Sequence, residues 1–342
     1  MERAGQRPAP PLLLKCPHMI EKVILAAPRG FCAGVVRAVD IVDLALDLYD
    51  EPIYVRKEIV HNAHVVKDLS DKGAIFVDRI EEVPEGCRAI FSAHGVSPEV
   101  WEEAAARSLR IIDATCPLVT KVHQEAVRYA RKDYTIILVG HEGHDEVIGT
   151  LGEAPTQIRL VTTVEDVDAL EVEDPNRVAY ITQTTLSMQD TREVLMALRK
   201  KFPAVEGPPS EDICYATQNR QEAVLELSKS SDLVLVVGAA NSSNSKRMVE
   251  EAKREGTPAY LIRDLKSIQD EWLADVRTLG LTSGASAPES LVQEIAAFFQ
   301  TQGAVLEELV LRHEDVQFAL PSDLQDDMEQ RQSTPSSSPD YA

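Results

Sequence analysis

Three cysteines that share a local setting are the residues of this chain best placed to do chemistry. Cys32 lies in Arg29-Gly30-Phe31-Cys32-Ala33-Gly34, Cys116 in Asp113-Ala114-Thr115-Cys116-Pro117, and Cys214 in Ile213-Cys214-Tyr215-Ala216-Thr217. Each is followed by two polar loops at similar distances. His61 and His94 come 29 and 62 residues after Cys32, His144 and Thr184 come 28 and 68 after Cys116, and Ser243 and Ser286 come 29 and 72 after Cys214. A cysteine that opens a helix faces unpaired N–H groups and the positive end of the dipole, which lowers its pKa and favours the metal-binding thiolate. Three such thiolates at one point would make a soft ligand set suited to iron–sulfur or zinc. A single cysteine at a strand-to-helix junction reads as a small buried filler. Recurrence of the context reverses that reading, although there is no compact Cys-x-x-Cys run to strengthen it. Cys16 and Cys87 lack the shared context.

The polar loops add donors. His61, His94, His144, Thr184, Ser242, Ser243, Asn244 and Ser286 supply N–H and O–H groups. Asn241-Ser242-Ser243-Asn244-Ser245 opens a helix directly after a strand, a favourable cradle for phosphate oxygens. An ordinary helix cap explains the same five residues. Glu146, in His144-Asp145-Glu146, is either a general acid raised by burial or a first-turn acid favoured by the dipole. Thr184 either passes a proton to a bound hydroxyl or caps a turn. The residues alone leave both pairs open.

Positioning these groups falls to alternating strands and helices. Apolar runs at 23–26, 53–55, 89–92, 110–112, 135–139, 158–161, 178–181, 233–237, 259–261 and 278–281 read as strands. Helical patterns lie between them, at 35–48, 117–131, 191–202, 220–228, 245–255 and 290–302. Such runs, separated by helices, predict an α/β fold of mostly parallel sheets covered on both faces. In such sheets ligands bind beyond the carboxyl ends of strands, which is where every polar loop falls. The chain divides into three pseudo-equivalent α/β domains at 19–108, 109–207 and 208–302. A closing segment, 303–320, is expected to join the first. Residues 1–18 read as an extension, with Met19 as an alternative start, and 321–342 as a disordered acidic and Ser/Pro-rich tail.

Composition sets limits. The 342 residues carry 35 Lys and Arg against 56 Asp and Glu, a formal charge of −21. No broad basic face for nucleic acid is expected, and any anionic ligand must be captured by local donors. No apolar run is long enough for a membrane span. Pro11 to Leu14 is too brief for a secretory signal, so a cytoplasmic protein is expected. Five cysteines without paired spacing argue against a disulfide framework.

Taken together, the motifs resemble those of the 4-hydroxy-3-methylbut-2-enyl diphosphate reductase family. The resemblance runs over about residues 19–320, through Pro28–Val35, Ile59–Asn62, Ser92–Pro98, Asp113–Pro117, Gly140–Glu146, Thr182–Ser187, Asn241–Ser245 and Gly284–Pro288. Asp145 departs from the proline common before the family's glutamate. The resemblance implies a trefoil of three α/β domains around a central cavity. It implies a 4Fe–4S cluster on Cys32, Cys116 and Cys214 with an open apical iron. His61, His94, His144, Thr184, Ser242, Ser243, Asn244 and Ser286 would surround the substrate, Glu146 would donate the proton, and Thr184 would orient the hydroxyl or relay the proton. The implied reaction is a two-electron, two-proton reductive dehydroxylation of the allylic diphosphate, giving isopentenyl or dimethylallyl diphosphate and water. No flavin or nicotinamide fingerprint is present, so a ferredoxin or flavodoxin partner is expected. Three rivals remain at this stage: a quinolinate synthase-like enzyme, a zinc hydrolase, and a phosphate-binding module with structural cysteines.

Overall fold

A computed structural model of the chain describes residues 20–333. The expected extension 1–18, with Cys16, and residues 334–342 of the expected tail lie outside the described residues, as does Met19. Twelve strands are described: β1 (Lys22–Ala27), β2 (Ile53–Arg56), β3 (Ile75–Val77), β4 (Arg88–Phe91), β5 (Arg110–Asp113), β6 (Thr135–Val139), β7 (Ile158–Val161), β8 (Val178–Thr182), β9 (Leu233–Val237), β10 (Ala259–Ile262), β11 (Thr278–Ser283) and β12 (Val305–Val310). The α-helices are α1 (Ala33–Leu48), α2 (Ala63–Asp71), α3 (Pro98–Ala106), α4 (Pro117–Ala130), α5 (Asp145–Glu153), α6 (Val164–Ala169), α7 (Met188–Lys201), α8 (Tyr215–Lys229), α9 (Ser243–Arg254), α10 (Glu289–Thr301) and α11 (Ser322–Ser333).

Every pairing between these strands is parallel. They form three sheets, ordered β10-β9-β11-β1-β12, β3-β2-β4-β5 and β7-β6-β8. Strands buried on both faces need continuous apolar runs, because alternate side chains point to opposite sides. In β9, Leu233, Leu235 and Val237 enter one core cluster, and Val234 and Val236 another. Likewise Ile136 and Leu138 of β6 pack on one side, and Ile137 and Val139 on the other. The α/β class with parallel sheets is as expected.

Sheet membership does not follow the chain order of the strands. β1 pairs with β11 and β12 in the third sheet, not with β2. β12 therefore joins that sheet as its edge, and β5 closes the first sheet beside β4. In the second sheet, Glu206 makes a single parallel bridge to Ala179 of β8 and takes the corresponding place. The repeat is thus cyclic: the first strand of the chain completes the last sheet. Local pattern identifies a strand but not its neighbours, so this offset was invisible in the sequence. β3 was also missed, being three residues long at a sheet edge.

The expected tail is another correction. Residues 322–333 form α11, which lies on α1 with Leu324 buried at 1% exposure. Tyr49 Oη donates to Asp327 across the contact at 2.5 Å. One anchoring leucine in a polar, acidic stretch leaves too weak a pattern to reveal a helix.

Candidate active site

Cys32, Cys116 and Cys214 are the N-cap residues of α1, α4 and α8. A backbone bond repeated three times sets each one. The Cys32 amide donates to the Ala285 carbonyl at 3.1 Å, that of Cys116 to Ala93 at 3.0 Å, and that of Cys214 to Thr184 at 3.0 Å. Each acceptor lies in the loop that follows one strand of its sheet: β11, β4 or β8. This tie carries every cysteine to the carboxyl end of its sheet, where the three sheets face one cavity of about 110 Å3. The cavity is lined by all three cysteines and by His61, His94, His144, Glu146, Thr184, Ser242, Ser243, Asn244 and Ser286. The residues singled out in the sequence are therefore brought together without exception.

Gly34 lies between two of the sulfurs. A Cβ on Gly34 would lie 2.7 Å from Cys116 Sγ and 3.9 Å from Cys32 Sγ, so only glycine fits between them. Burial pushes the Cys116 thiol up to about 12 and the Cys214 thiol up to about 11, with neighbouring sulfurs adding to both shifts. The dipole of a helix N-terminus was expected to lower these values. Removal from water outweighs it. Thiols raised like those of Cys116 and Cys214 become thiolates when a cation compensates their charge, as in a metal-binding pocket. A single tetrahedral zinc would hold three sulfurs about 3.8 Å apart. Among the described residues these sulfurs do not gather within 4.8 Å of one another. Their soft, spread arrangement fits a multinuclear cluster and disfavours the zinc rival.

Above the sulfurs sit three imidazoles. His61 and His94 stack with ring centroids 4.0 Å apart, and His144 meets them edge-on at 5.4 and 6.0 Å. Burial holds His94 well below the usual histidine range and lowers His144 to about 4. Both are neutral at pH 7, and His144 Nδ1 accepts from the Glu146 amide at 3.2 Å, capping α5. Glu146 is 2% exposed, and burial raises its carboxyl to about 7. Its two oxygens accept from the Thr184 amide at 2.6 Å and the Thr184 hydroxyl at 3.0 Å. Glu146 stands in the first turn of α5, and its burial there favours the protonated carboxyl.

The serine loop docks from the third sheet. Ser242 caps α9 through the Ser245 amide. Ser243 Oγ donates to the Thr185 carbonyl at 2.8 Å, and Ser286 Oγ to the His61 carbonyl at 3.1 Å. Loops of all three sheets are thereby stitched together. Asn244 is buried, and among the described residues its Oδ1 has no hydrogen-bond partner. A buried amide oxygen without a partner is costly.

Several neighbours escaped the sequence reading. Thr217 donates its amide to Cys214 Sγ at 3.4 Å and sets its hydroxyl 3.2 Å from the same sulfur; its place three residues after an N-cap could have revealed it. Arg220 is fully buried and donates to the Gly30 carbonyl at 2.8 Å, while Glu314 pairs with it at 3.0 Å. That pair ties the segment after β12 to the turn before Cys32. No local signal announces it, because its two ends are 94 residues apart.

With this geometry in place, the comparisons with known proteins carry weight. The family model described as LytB protein matches residues 23–300. The chain belongs to the LytB protein family. Among its LytB relatives, a protein from Leifsonia xyli named 4-hydroxy-3-methylbut-2-enyl diphosphate reductase is 56% identical, over 90% of this chain and 92% of its own length. A protein of the same name from Chromohalobacter salexigens is 55% identical over 89% of this chain and 98% of its own. The solved structure of the E-1-hydroxy-2-methyl-but-2-enyl-4-diphosphate reductase from Plasmodium falciparum superposes with a TM-score of 0.89 at 40% identity, covering 91% of this chain and 99% of that one. A second, described as the terminal enzyme of the non-mevalonate pathway, does so with a TM-score of 0.60 at 33% identity, over 82% and 99%. No helix among the described residues is long and apolar enough to cross a membrane.

Proposed function

We propose that this chain is a 4-hydroxy-3-methylbut-2-enyl diphosphate reductase that removes the allylic hydroxyl of its substrate with two electrons and two protons. The carrying observation is the convergence of three N-cap cysteines and the Glu146–Thr184 pair on a single cavity. The three sheets with their helices are the three α/β units that share this site. Cys32, Cys116 and Cys214 would hold one 4Fe–4S cluster. When bound, such a cluster with one open iron supplies electrons and Lewis acidity.

The protein's own part is binding, orientation and proton delivery. The α9 N-terminus, with Ser242, Ser243 and Asn244, and the loops carrying His61, His94, His144 and Ser286 take the diphosphate. Backbone donors and the helix dipole suit an anion there even in a chain of net charge −21. Holding that end fixes the distant C–O bond against the proton donor. Glu146 keeps its proton up to about pH 7, near the operating pH that favours general acid catalysis. Thr184 Oγ1, bonded to the carboxyl, can turn to a bound hydroxyl and pass the proton on. Burial excludes water that would otherwise quench the allylic fragment. Electrons come from outside, from a ferredoxin or flavodoxin, and the reduced thiols fit the reducing cytoplasm.

The test is an anaerobic assay with the allylic alcohol diphosphate and dithionite-reduced viologen, with iron and sulfide determined on the same sample. Formation of isopentenyl and dimethylallyl diphosphates by brown, iron-loaded protein is expected. A colourless, iron-free preparation or an iron-loaded one without turnover would overturn the reading.

A further inference from the structure

We propose that the groove along α4 is the docking surface for the electron donor, and that this donor is a small acidic protein carrying one-electron equivalents. The inference rests on the reductase reading above, which needs two electrons from outside the chain. Those electrons must enter near one of the sulfurs. Three outer grooves, apart from the central cavity, each end beside one cysteine. The first ends at Phe31 and Ala33, flanking Cys32, and holds about 690 Å3. The second ends at Asp212 and Ile213, ahead of Cys214, and holds about 280 Å3. The third ends at Thr115, next to Cys116, and holds about 620 Å3.

Charge separates the three. The groove at Cys32 presents Arg37 against Asp40, Asp43 and Glu314. The groove at Cys214 presents two cations, Arg192 and Arg199, against Glu211 and against Asp212, which Lys121 engages at 3.0 Å. The groove at Cys116 presents Arg128, Arg131 and Lys132 against Asp113 and Glu153. Glu153 is already engaged by His123 at 2.7 Å, and Asp113 by the Thr115 amide at 2.9 Å. The three cations are exposed, and among the described residues none has a carboxylate within ion-pair distance. Arg128 also lies over the Tyr129 ring at 4.8 Å, and in a chain with 56 acidic and 35 basic residues a basic trio without an ion-pair partner is unusual.

A second feature coincides with it. Trp101 of α3 lines the same groove and is 42% exposed, although its ring packs edge-on against Phe91 at 4.8 Å. The C-terminus of α4 accounts for a cation at Arg128 through the helix dipole, but not for an exposed indole opposite. Tryptophan and arginine together are the residues most enriched where proteins dock. α4 itself runs from this basic end to Cys116 at its N-cap. A partner seated on the basic end thus lies along the helix whose first residue is a cluster ligand. Each docking would pass one electron, oxidising the carrier and reducing the cluster by one, and two dockings complete a turnover.

The experiment uses the iron-loaded full chain with a reduced plant-type 2Fe–2S ferredoxin as probe, beside reduced viologen. The triple substitution Arg128→Glu, Arg131→Glu, Lys132→Glu should lower ferredoxin-driven kcat/KM by about tenfold or more and flatten its salt dependence. Viologen-driven turnover should stay unchanged. Ferredoxin binding measured by calorimetry should weaken in parallel, and the Gln triple variant should fall between. An unchanged ferredoxin-driven rate would overturn the proposal, as would a loss confined instead to Arg192→Glu with Arg199→Glu. Absence of viologen-driven turnover in the unaltered protein would fail the reductase reading, not the docking surface.

Discussion

At the residue scale, desolvation dominates the chemistry. It raises the Glu146 carboxyl to about 7 even though two hydrogen bonds from Thr184 oppose the shift. A proton donor works only while it carries its proton, so kcat should fall as pH rises through about 7; a pH profile measured with reduced viologen checks this. Glu146→Gln should lower turnover by on the order of 10²–10⁴ while iron and sulfide content stay unchanged. The histidines bear a complementary prediction. His94 and His144 are held below their ordinary value in the free site, and a nearby anion favours the imidazolium. Binding of inorganic pyrophosphate at pH 6 should therefore take up protons, seen as a buffer-dependent enthalpy in calorimetry. No buffer dependence would remove these imidazoles from the anion's neighbourhood.

At the element scale, helix starts do the positioning. Three cysteine N-caps are tied to three loops by one recurring backbone bond, and glycines give the close approach that this needs. Gly34 stands where any Cβ would strike Cys116 Sγ. Gly34→Ala should thus lower bound iron to well under the usual content while leaving the circular dichroism spectrum and melting temperature nearly unchanged. The same logic seats the start of α9. Gly238 and Gly284, at the ends of β9 and β11, leave room for Ser245 in the first turn of α9. Much of this was legible beforehand. Each cysteine was expected at a helix start, and the Asn241–Ser245 run at a helix opening. The sign of the thiol shifts was not legible, because the dipole is local to the sequence while burial is supplied by the other two sheets.

At the scale of the whole molecule, the chain closes on itself. β1 is inserted between β11 and β12, so this strand depends for its hydrogen bonds on residues 256 and 283 positions later, as in Val23 beside Leu279 and Leu306. Residues beyond β12 then return through Glu314 to Arg220 and on to α11 over α1. Ending the chain after Pro321 would uncover the site of Leu324, a loss of about 1.5–3 kcal/mol of burial. Such a truncation should melt earlier in urea, by that amount, yet retain viologen-driven turnover, since none of the removed residues lines the cavity.

The sequence by itself determined the repeated plan: apolar runs of strand length, a cysteine or polar loop after them, and hence an α/β fold with its ligand groups at strand ends. These are short-range facts, set by propensity, capping and the two-sided burial of parallel strands. The tertiary structure alone decided which sheet owns β1 and β5, that residues 322–333 form a helix, and that the Cys116 and Cys214 thiols are raised instead of lowered. Those outcomes depend on neighbours brought in from distant parts of the chain. Strand order, desolvation and single-residue anchors are properties of what surrounds a residue in space, and no local pattern carries them.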